Sequence, residues 1–373
     1  MKAVTKRFPD TRSAELCKNL QVLQHEVCEL RINPLHLGIA YFDYTWGLLI
    51  AALRARSIRA DMFIADSIEA GLVAMAVSSR LRIPFVFDFR DDYSLLASYD
   101  EWKLRHFLVK RLEQSIPRRA HMVTTANREI SQFCIALGTP DSKVVVVPNG
   151  VDTSIYFPMN GDQSLRDELD LNKHSVVLYR GKITKYYRVE TLMKAMAIVQ
   201  REHGHVKFVV VGDGVEMDAM KRLAQSLGLG DAVIFTGFVS TSVLPKYINL
   251  ADICLYPIPN SSGLAPLEYA ACKKPSILPI GSTGKLGVSH ELVEKNAVLA
   301  VDDSPEGFAG GILTLLHNRD RAQAMGERAM QIVRRSFQWS QVAAIYEQSL
   351  RRALSRNGSV GSTRNDAASC RFN

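Results

Sequence analysis

The feature that most constrains this sequence is a regular alternation of short apolar runs with longer helical patterns. Most of the apolar runs, such as SVVLYRG at 175–181 and VKFVVVG at 206–212, are continuous rather than alternating. Continuous runs are typical of parallel strands that helices cover on both faces. Because helical patterns such as 190–203 separate the runs, the sequence predicts an α/β fold of doubly wound parallel sheets. The predicted strands lie at 2–5, 60–65, 84–89, 121–126, 143–148, 175–181, 206–212, 232–238, 252–258, 275–280 and 297–301.

The length of the chain and one polar stretch predict two domains. At 373 residues the chain is longer than one ordinary hydrophobic core requires. The alternation of apolar runs and helical patterns is interrupted by the polar stretch 158–173. We therefore expect one Rossmann-like domain over 1–157 and a second over 158–337. The last helical pattern, 338–355, has one apolar face and is expected to join the first domain. The polar tail 357–373 is expected to be disordered.

Charge and composition narrow the range of partners. The formal net charge of +8 favours anionic partners such as nucleotides, phosphorylated lipids or an acidic membrane face. The aromatic and basic pattern of nucleic-acid binding is absent, so no nucleic-acid partner is expected. No apolar run approaches the ~18 residues of a membrane span, and the N-terminus lacks the apolar core of a signal peptide. We therefore expect a cytoplasmic protein. The six cysteines form no C-x-x-C pair, and no zinc site is expected.

A basic loop follows the predicted strand at 175–181. In open parallel sheets, ligands bind beyond the carboxyl ends of the strands. Gly181 permits close approach of the backbone, and the cations that follow it can neutralise a diphosphate. Those cations are Lys182, Lys185 and Arg188. The alternative is a solvated basic turn without a ligand.

The predicted strand at 206–212 leads into a second glycine turn, Gly212-Asp213-Gly214. The third position of a G-x-G-x-x-G fingerprint is Met217 here, and that fingerprint belongs after the first strand of a dinucleotide-binding domain. A nicotinamide-dependent dehydrogenase is therefore not favoured. We expect Gly212 either to contact a nucleotide or to form only a tight turn between strand and helix.

The segment NSSGLAPLEYAACKKP at 260–275 carries the richest chemistry. Small residues lead into a predicted helix whose free backbone amides can bind phosphate. Glu268 on the same helix can accept hydrogen bonds from ribose hydroxyls. The alternative is an ordinary helix cap by Ser262, with Glu268 merely exposed to solvent.

With these motifs in this order, the chain resembles glycosyltransferase family 4, whose members are retaining enzymes of the GT-B architecture. The resemblance implies two Rossmann-like domains that face a central cleft, with a nucleotide-sugar donor held by the second domain. It is looser in the first domain. Five segments carry it: VVVPNGVDTSIYFP (145–158), YRGKITKYYRVETLMKAM (179–196), FVVVGDGVEMDAMKRLAQSLGLGDAVIFTGFV (208–239), LADICLYPI (250–258) and NSSGLAPLEYAACKKP (260–275).

The resemblance implies roles for individual residues. Glu268 matches the second acid of the family's E-x7-E motif and would hold the ribose. Gly263 and Leu264 match a pair whose amides contact the diphosphate, which Lys182 would also contact. Gly237 and Phe238 lie where the family lines the pocket for the nucleobase. The donor-binding residues predicted in full are Gly181, Lys182, Lys185, Arg188, Gly212, Gly237, Phe238, Ser262, Gly263, Leu264 and Glu268.

Three of the departures from the family pattern lie at or beside predicted site residues. Asn260 replaces the first acid of E-x7-E, which lies close to the transferred sugar in the family. Tyr187 replaces the second lysine of the basic loop, and Arg90 replaces a histidine of the first domain. Two alternatives to a transferase therefore stay open. One is a nucleotide-sugar-binding protein without transfer activity, and the other is a sugar-nucleotide epimerase of the GT-B architecture.

The implied reaction is a retaining transfer to a glycan, lipid-linked or small-molecule acceptor, without a covalent nucleophile, a cofactor or a metal. The leaving diphosphate develops negative charge, which fixed cations and amides stabilise. The predicted catalytic residues are Lys182, Glu268, Asn260 and Asp91. The predicted acceptor-side residues are Asp66, Arg90 and Asp91, which all lie just past predicted strand ends. A structural ion pair of Arg90 with Asp91 is the alternative.

One predicted helix, 102–116, has a basic amphipathic pattern. Lysines and arginines flank its apolar stripe and continue to Arg119. Such a helix either docks on an anionic membrane or packs on the core as an ordinary surface helix, and we favour the ordinary helix. Docking would place the protein peripherally on the inner membrane face and favour a lipid-linked acceptor. The predicted stripe consists of Leu104, Phe107, Leu108 and Leu112.

Overall fold

The computed structural model describes residues 2–6, 26–30, 60–90, 92–94, 103–258, 263–280 and 290–356. The predicted tail 357–373 lies outside these residues. Within them the chain forms two six-stranded sheets, and every strand pairs in parallel with its neighbours. Helices separate most successive strands. The prediction of doubly wound parallel sheets is therefore confirmed.

The first sheet uses the strands of the amino-terminal part. They are β1 (Lys2–Lys6), β2 (Glu26–Leu30), β3 (Met62–Ala65), β4 (Phe85–Phe89), β5 (Met122–Thr125) and β6 (Val144–Val146). Their order in the sheet is β2-β1-β3-β4-β5-β6. The described helices of this part are α1 (Ile68–Leu81), α2 (Lys103–Arg119) and α3 (Arg128–Ala136). Strand β2 was absent from the predicted strands, because its sequence EVCEL carries two glutamates and forms no continuous apolar run.

The second sheet has the order β12-β11-β10-β7-β8-β9. Its strands are β7 (Ser175–Arg180), β8 (Val206–Val211), β9 (Val233–Gly237), β10 (Ile253–Leu255), β11 (Ser276–Ile280) and β12 (Leu299–Asp302). The helices of this part are α4 (Gln163–Glu168), α5 (Val189–Glu202), α6 (Met217–Ser226), α7 (Leu244–Leu250), α8 (Ala265–Ala271), α9 (His290–Glu294), α10 (Pro305–His317) and α11 (Arg319–Ser336). Successive strands run outward from β7 in both directions, so the strand order reverses between β7 and β10.

Both faces of the second sheet are covered, as the continuous apolar runs predict. Along β7, Val176 and Leu178 point into one core, and Val177 and Tyr179 point into the other. All four side chains are fully buried. Because successive residues of a strand point to opposite faces, only an unbroken apolar run satisfies both cores. Each such aliphatic side chain contributes roughly 1.5–3 kcal/mol by leaving water.

The last helix, α12 (Trp339–Arg356), returns to the first sheet. Val342, Tyr346 and Leu350 pack in one cluster with side chains of β3, β4 and β5. Two segments thus run between the sheets, and they touch: the backbone N–H of Val151 donates to the carbonyl oxygen of Phe337 over 2.8 Å. No helix in the described part of the chain has both the length and the apolar character of a membrane span.

Helix α2 packs on the first sheet with a different face from the predicted one. Its core-facing side chains are Val109, Leu112 and Ile116. Phe107 and Leu108 belong to the predicted apolar stripe, yet they are 53% and 38% exposed. The guanidinium carbon of Arg111 lies 5.2 Å from the centroid of the Phe107 ring. Of the predicted stripe, Leu112 therefore faces the core, whereas Phe107 and Leu108 lie on an adjacent, exposed face.

Candidate functional site

The candidate site lies at the carboxyl edge of the second sheet, where the strand order reverses between β7 and β10. A crevice forms at such a point because the connections from the two strands leave toward opposite faces of the sheet. Strand β7 ends at Arg180 and continues into the basic loop 181–188, and α8 follows β10 along the chain. The fold therefore brings the predicted loop and the predicted acidic helix to one edge.

An ion pair between Arg180 and Glu268 joins these two elements. Nη2 of Arg180 contacts Oε2 of Glu268. Only 9% of the Glu268 side chain is exposed, so this carboxylate is not the solvated group of the alternative interpretation. A buried carboxylate is costly unless a cation and hydrogen bonds satisfy it. Although burial acts to lower it, the pKa of Arg180 lies above its usual value because the Glu268 carboxylate favours the charged guanidinium.

Tyr156 adds a third group to this ion pair. The tyrosine is buried, and its burial raises the pKa of the hydroxyl. The negative charge of Glu268, to which the hydroxyl is hydrogen-bonded, raises this pKa further. The hydroxyl therefore stays protonated and donates to the carboxylate. Tyr156 belongs to the segment between β6 and α4, and the sequence analysis did not single it out.

Tyr269 fixes α8 against the strands on both sides. Its hydroxyl donates to the carbonyl oxygen of Leu255 over 3.3 Å and accepts the backbone N–H of Arg180 over 3.0 Å. The tyrosine is fully buried. Because Glu268 immediately precedes Tyr269, these two hydrogen bonds determine where the carboxylate stands relative to the ends of β7 and β10.

Three glycine turns are locked together beside this helix. Gly181 donates its backbone N–H to Val211 over 3.0 Å, and Gly212 donates to Gly237 over 2.9 Å. A Cβ atom on Gly212 would lie 1.9 Å from the carbonyl oxygen of Gly181. Gly212 also has a φ of +141°, which residues with side chains rarely adopt. The close packing of the turns is therefore sufficient to explain this glycine, and the structure places it at the same edge as Glu268.

The cations of the basic loop have two different environments. Lys182 and Lys185 are exposed, and the carbonyl oxygen of Lys182 accepts the hydroxyl of Tyr179 over 2.8 Å, which fixes the backbone of the loop. Arg188 instead forms an ion pair with Asp303, with Nη1 2.6 Å from Oδ1 and 2.5 Å from Oδ2. Its charge is shared with that carboxylate, whereas the charges of the two lysines face solvent. Asp303 was not identified from the sequence.

Apolar side chains stand exposed at the neighbouring turns. Phe238, which follows Gly237, is 81% exposed, and Val215 is 88% exposed. Gly237 has a φ of +69°, which turns the chain sharply at the end of β9. Because Gly212 and Gly237 are hydrogen-bonded, these apolar side chains follow two paired turns. An aromatic face that stands free at such a turn suits the stacking of a planar base.

The start of α8 is packed as tightly as the glycine turns. A Cβ atom on Gly263 would lie 2.0 Å from the hydroxyl of Tyr256, so this position has no room for a side chain. Leu264 packs partly against the cluster that contains Trp339 of α12. The start of α8 therefore touches the helix that returns to the first sheet. The predicted site residues Asn260, Ser262 and Asp91 lie outside the described residues.

The predicted acceptor-side residues follow strands of the first sheet. Asp66 immediately follows β3, and Arg90 immediately follows β4. Arg90 pairs with Asp88, with Nε 3.2 Å from Oδ2. Asp88 is buried and also accepts the hydroxyl of Thr124 over 2.8 Å. Arg90 is thus tied to the sheet through Asp88, a residue that the sequence analysis did not single out.

No group of three or more His, Cys, Asp and Glu side chains within the described ranges is placed to hold a metal ion.

A separate cleft of about 450 Å³ lies at the opposite, amino edge of the second sheet, and cations and histidines line much of it. Ligands of doubly wound sheets bind at the carboxyl edge, so the geometry favours the site around Glu268.

Two family descriptions match the chain in succession. Residues 8–150 match the glycosyl transferase 4-like domain, and residues 162–332 match the glycosyl transferases group 1. The chain is 30% identical over 225 residues to the GDP-mannose-dependent alpha-(1-6)-phosphatidylinositol monomannoside mannosyltransferase of Mycobacterium tuberculosis, over 57% of each chain. It is 28% identical over 260 residues to the D-inositol 3-phosphate glycosyltransferase of Kineococcus radiotolerans, over 65% of this chain and 59% of the relative. The chain thus spans less than two thirds of the length of these relatives.

Solved structures share the whole architecture. A sucrose-phosphate synthase from Thermosynechococcus elongatus superposes with a TM-score of 0.82 at 17% identity, over 95% of this chain and 100% of that one. HepE of Anabaena, solved in complex with UDP-glucose, superposes with a TM-score of 0.76 at 19% identity, over the same shares. These likenesses establish the GT-B fold, with two Rossmann-like domains.

Proposed function

Since this chain belongs to the group 1, family 4-like glycosyltransferases of the GT-B fold, we propose that it transfers a sugar from a nucleotide-sugar donor with retention of anomeric configuration. The acceptor in this proposal is a glycan, a lipid-linked molecule or a small molecule. The observation that carries this proposal is the buried Glu268 carboxylate at the strand-order reversal of the second sheet. It stands between Arg180 and Tyr156, beside a loop with two exposed lysines. This is the place where a doubly wound sheet binds a nucleotide.

In this proposal Glu268 binds the ribose of the donor. A carboxylate is an acceptor only, with room for about four hydrogen bonds, and the two ribose hydroxyls are donors. Phe238 stacks on the base, because its ring is exposed at the paired glycine turns. HepE of Anabaena binds UDP-glucose, and the mycobacterial relative is named for GDP-mannose. We infer a nucleoside-diphosphate sugar for this chain without assigning the base or the sugar.

Lys182 and Lys185 act on the diphosphate. As the glycosidic bond to the donor breaks, the leaving diphosphate gains negative charge, and a lysine held beside it stabilises that charge without rearrangement of solvent. One such contact is typically worth ~3 kcal/mol of transition-state stabilisation. The acceptor oxygen bonds to the anomeric carbon from the face that the leaving group occupies, and its proton passes to the departing diphosphate oxygen, so no covalent intermediate is required. The two lysines supply the positive charge that a metal would otherwise provide, so the proposal requires no metal. Asn260 and Asp91 remain predicted catalytic residues.

The acceptor binds on the side of the first sheet in this proposal. Asp66 and Arg90 follow neighbouring strands there, and Asp88 holds Arg90 in place. Helix α2 adds a membrane contact: Phe107 and Leu108 are exposed beside the cations Lys110 and Arg111. Apolar side chains among cations on one helix face suit an anionic lipid surface. This arrangement favours a lipid-linked acceptor over a freely soluble one.

A nucleotide-sugar-binding protein without transfer activity is the second candidate. Two departures from the family pattern favour it, Asn260 in place of an acid and Tyr187 in place of a lysine. Tyr187 is a neutral side chain that packs partly against the core of the second sheet, so the loop has no positive charge at this position. The retained ion pair of Glu268 supports nucleotide binding in either case.

The deciding experiment measures binding and turnover with a panel of sugar nucleotides. Calorimetry on the purified full chain identifies the donor, and the release of nucleoside diphosphate reports its slow hydrolysis. We expect one donor to bind and to be hydrolysed slowly, with faster release once lipid or glycan acceptors are added. Binding without release in the presence of those acceptors would favour the inactive binding protein. The absence of binding would contradict the assignment of the nucleotide site.

A further inference from the structure

The geometry points to Arg180 as a positioning residue that fixes the Glu268 carboxylate for recognition of the donor's ribose, with Tyr156 as its second support. This inference rests on the proposed function, in which Glu268 accepts hydrogen bonds from ribose hydroxyls. Arg180 does not take part in the chemistry of transfer. Its role is to hold one acceptor group at the correct place.

Both ends of Arg180 are fixed to the same helix. Its backbone N–H donates to the hydroxyl of Tyr269, and its Nη2 contacts Oε2 of Glu268. Because Arg180 is the last residue of β7, its backbone also lies in the parallel pairing with β8. An acceptor oxygen that is tied to a strand end in this way has little freedom to rotate. Binding of a ligand to this oxygen therefore costs less side-chain entropy, because the carboxylate is already ordered.

The burial of Glu268 makes a cation necessary. Removing a carboxylate from water is costly unless a cation and hydrogen-bond donors surround it. Arg180 supplies the opposite charge, and its guanidinium stays protonated at any working pH. Tyr156 adds a neutral donor that keeps its proton because burial and the nearby carboxylate both raise the pKa of its hydroxyl.

The arrangement leaves capacity for a ligand. Only Oε2 of Glu268 contacts Arg180, and a carboxylate has about four acceptor positions. Nε of Arg180 is buried and makes no hydrogen bond to the described residues, so the protein's own acceptors in this part of the chain do not use the whole guanidinium. A purely structural ion pair would be expected to satisfy its buried donors more fully.

The test compares UDP and GDP with their 2′,3′-dideoxy analogues as probes, by calorimetry on the full chain. The readout is the ratio of the two dissociation constants for whichever base binds. We expect the wild type to bind the ribose form at least about 10-fold more tightly, as hydrogen bonds to a charged acceptor predict. In Arg180→Met the ratio falls toward one, while the affinity for the dideoxy form changes little. Tyr156→Phe lowers the ratio by a smaller factor.

Arg166→Met is the matched control. Arg166 is a partly buried arginine of the same part of the chain, and it donates to the carbonyl oxygens of Leu171 and Leu250 near the amino edge of the sheet. Its loss perturbs stability without touching Glu268, so the full ratio is expected to remain. Circular dichroism and thermal melting establish that each variant is folded. Arg180→Gln keeps the packing and loses the charge, and it replaces Arg180→Met if that variant does not fold.

The outcomes separate the two proposals. A wild type that discriminates, with a ratio that collapses only in the Arg180 variants, supports the inference. A folded Arg180 variant that keeps the wild-type ratio overturns it and leaves the proposed function intact. A folded wild type that binds neither of these nucleotides, nor any donor of the sugar-nucleotide panel, overturns the proposed function and this inference together. A wild type that binds both forms equally overturns the ribose role of Glu268.

Discussion

The backbone N–H of Gly212 donates a hydrogen bond of 2.9 Å to the carbonyl oxygen of Gly237. This single contact connects the turn after β8 to the turn after β9. The turn after β8 also contacts Gly181. The three turns at the candidate donor site are therefore connected through backbone contacts and form one unit.

Gly212→Ala is expected to disrupt this unit. The new methyl group would meet the carbonyl oxygen of Gly181 at 1.9 Å, and the backbone would be held at a φ of +141°. Such strain costs about 1–3 kcal/mol, and the turn must open to relieve the clash. Urea denaturation should detect the lower free energy of unfolding, and calorimetry should detect weaker nucleotide binding.

Gly228→Ala separates the two contributions. Gly228 also has a positive φ, +70°, yet a Cβ atom there would meet nothing within 4 Å. We expect a loss of about 1–2 kcal/mol from backbone strain alone and unchanged nucleotide affinity. Equal effects of the two substitutions on binding would contradict the role of the turns in the site.

Removal of Glu268 is expected to affect both stability and binding. Glu268→Ala leaves the guanidinium of Arg180, whose side chain is only 21% exposed, without its carboxylate. The loss of one partner from a fully buried pair costs about 3–5 kcal/mol, and the partial exposure of Arg180 makes that an upper bound. In the double variant Glu268→Ala/Arg180→Met, the uncompensated charge is gone and stability should largely return, whereas nucleotide affinity should not. Thermal denaturation and calorimetry on the three proteins check this pattern. Recovery of binding in the double variant would show that Glu268 does not contact the donor.

Lys182→Ala is expected to lower turnover with little effect on stability, because the side chain is exposed. The loss of one contact to the developing charge reduces kcat on the order of 10²–10³-fold. Steady-state release of nucleoside diphosphate, with the donor identified by the panel, measures this change. Lys194→Ala, on the exposed side of α5 where Lys194 pairs with Glu190, serves as the control and should leave kcat unchanged. An equal kcat for the wild type and Lys182→Ala would remove this lysine from the mechanism.

Arg188→Met is expected to weaken nucleotide binding less than Lys182→Met does. The charge of Arg188 is already shared with Asp303, so its loss removes less attraction for a diphosphate. A partly exposed pair of this kind contributes about 0.2–1 kcal/mol to stability. A double-mutant cycle with Asp303→Asn measures that coupling, and calorimetry compares the affinities. A larger loss of affinity for Arg188→Met than for Lys182→Met would contradict this prediction and make Arg188 the more important cation for diphosphate binding.

Helix α2 gives a prediction for membrane contact. Phe107→Ser/Leu108→Ser is expected to reduce binding to phosphatidylglycerol vesicles at least about 10-fold, since full burial of each apolar side chain is worth about 1.5–3 kcal/mol. Co-sedimentation measures the bound fraction, with phosphatidylcholine vesicles as the uncharged comparison. Ile345→Ser removes another exposed apolar side chain, on α12, and should leave binding unchanged. If the wild type fails to sediment with anionic vesicles, the membrane contact is excluded.

The fold could be predicted from the sequence because buried strands of the second sheet such as β7 are long apolar runs. Val176–Tyr179 must satisfy cores on both faces, which leaves an unmistakable pattern. Strand β2 leaves no such pattern, since its two glutamates break the run. The orientation of α2 does not follow from the sequence either, because Leu112 fits both the predicted stripe and the observed core-facing side, and periodicity alone cannot choose between adjacent faces.

The composition of the site was only partly predictable. The basic loop and Glu268 have local sequence signals, a glycine at a strand end and an acid on a short helix. The partner of Glu268 has no such local signal, because Arg180 lies 88 residues away on a predicted strand. The one available signal was a charged residue at the end of an otherwise apolar strand. The pairing of Arg188 with Asp303 spans 115 residues and has no local signal.

The return of α12 to the first sheet has a consequence for the integrity of the chain. Val151 and Phe337 mark two passages between the sheets that run side by side, so the halves share two covalent connections and the packing of one long helix. A protease that cuts once within 159–161 would leave α12, on the second fragment, still seated against β3, β4 and β5. The two fragments of the nicked protein should therefore co-elute in size-exclusion chromatography until denaturant releases that helix.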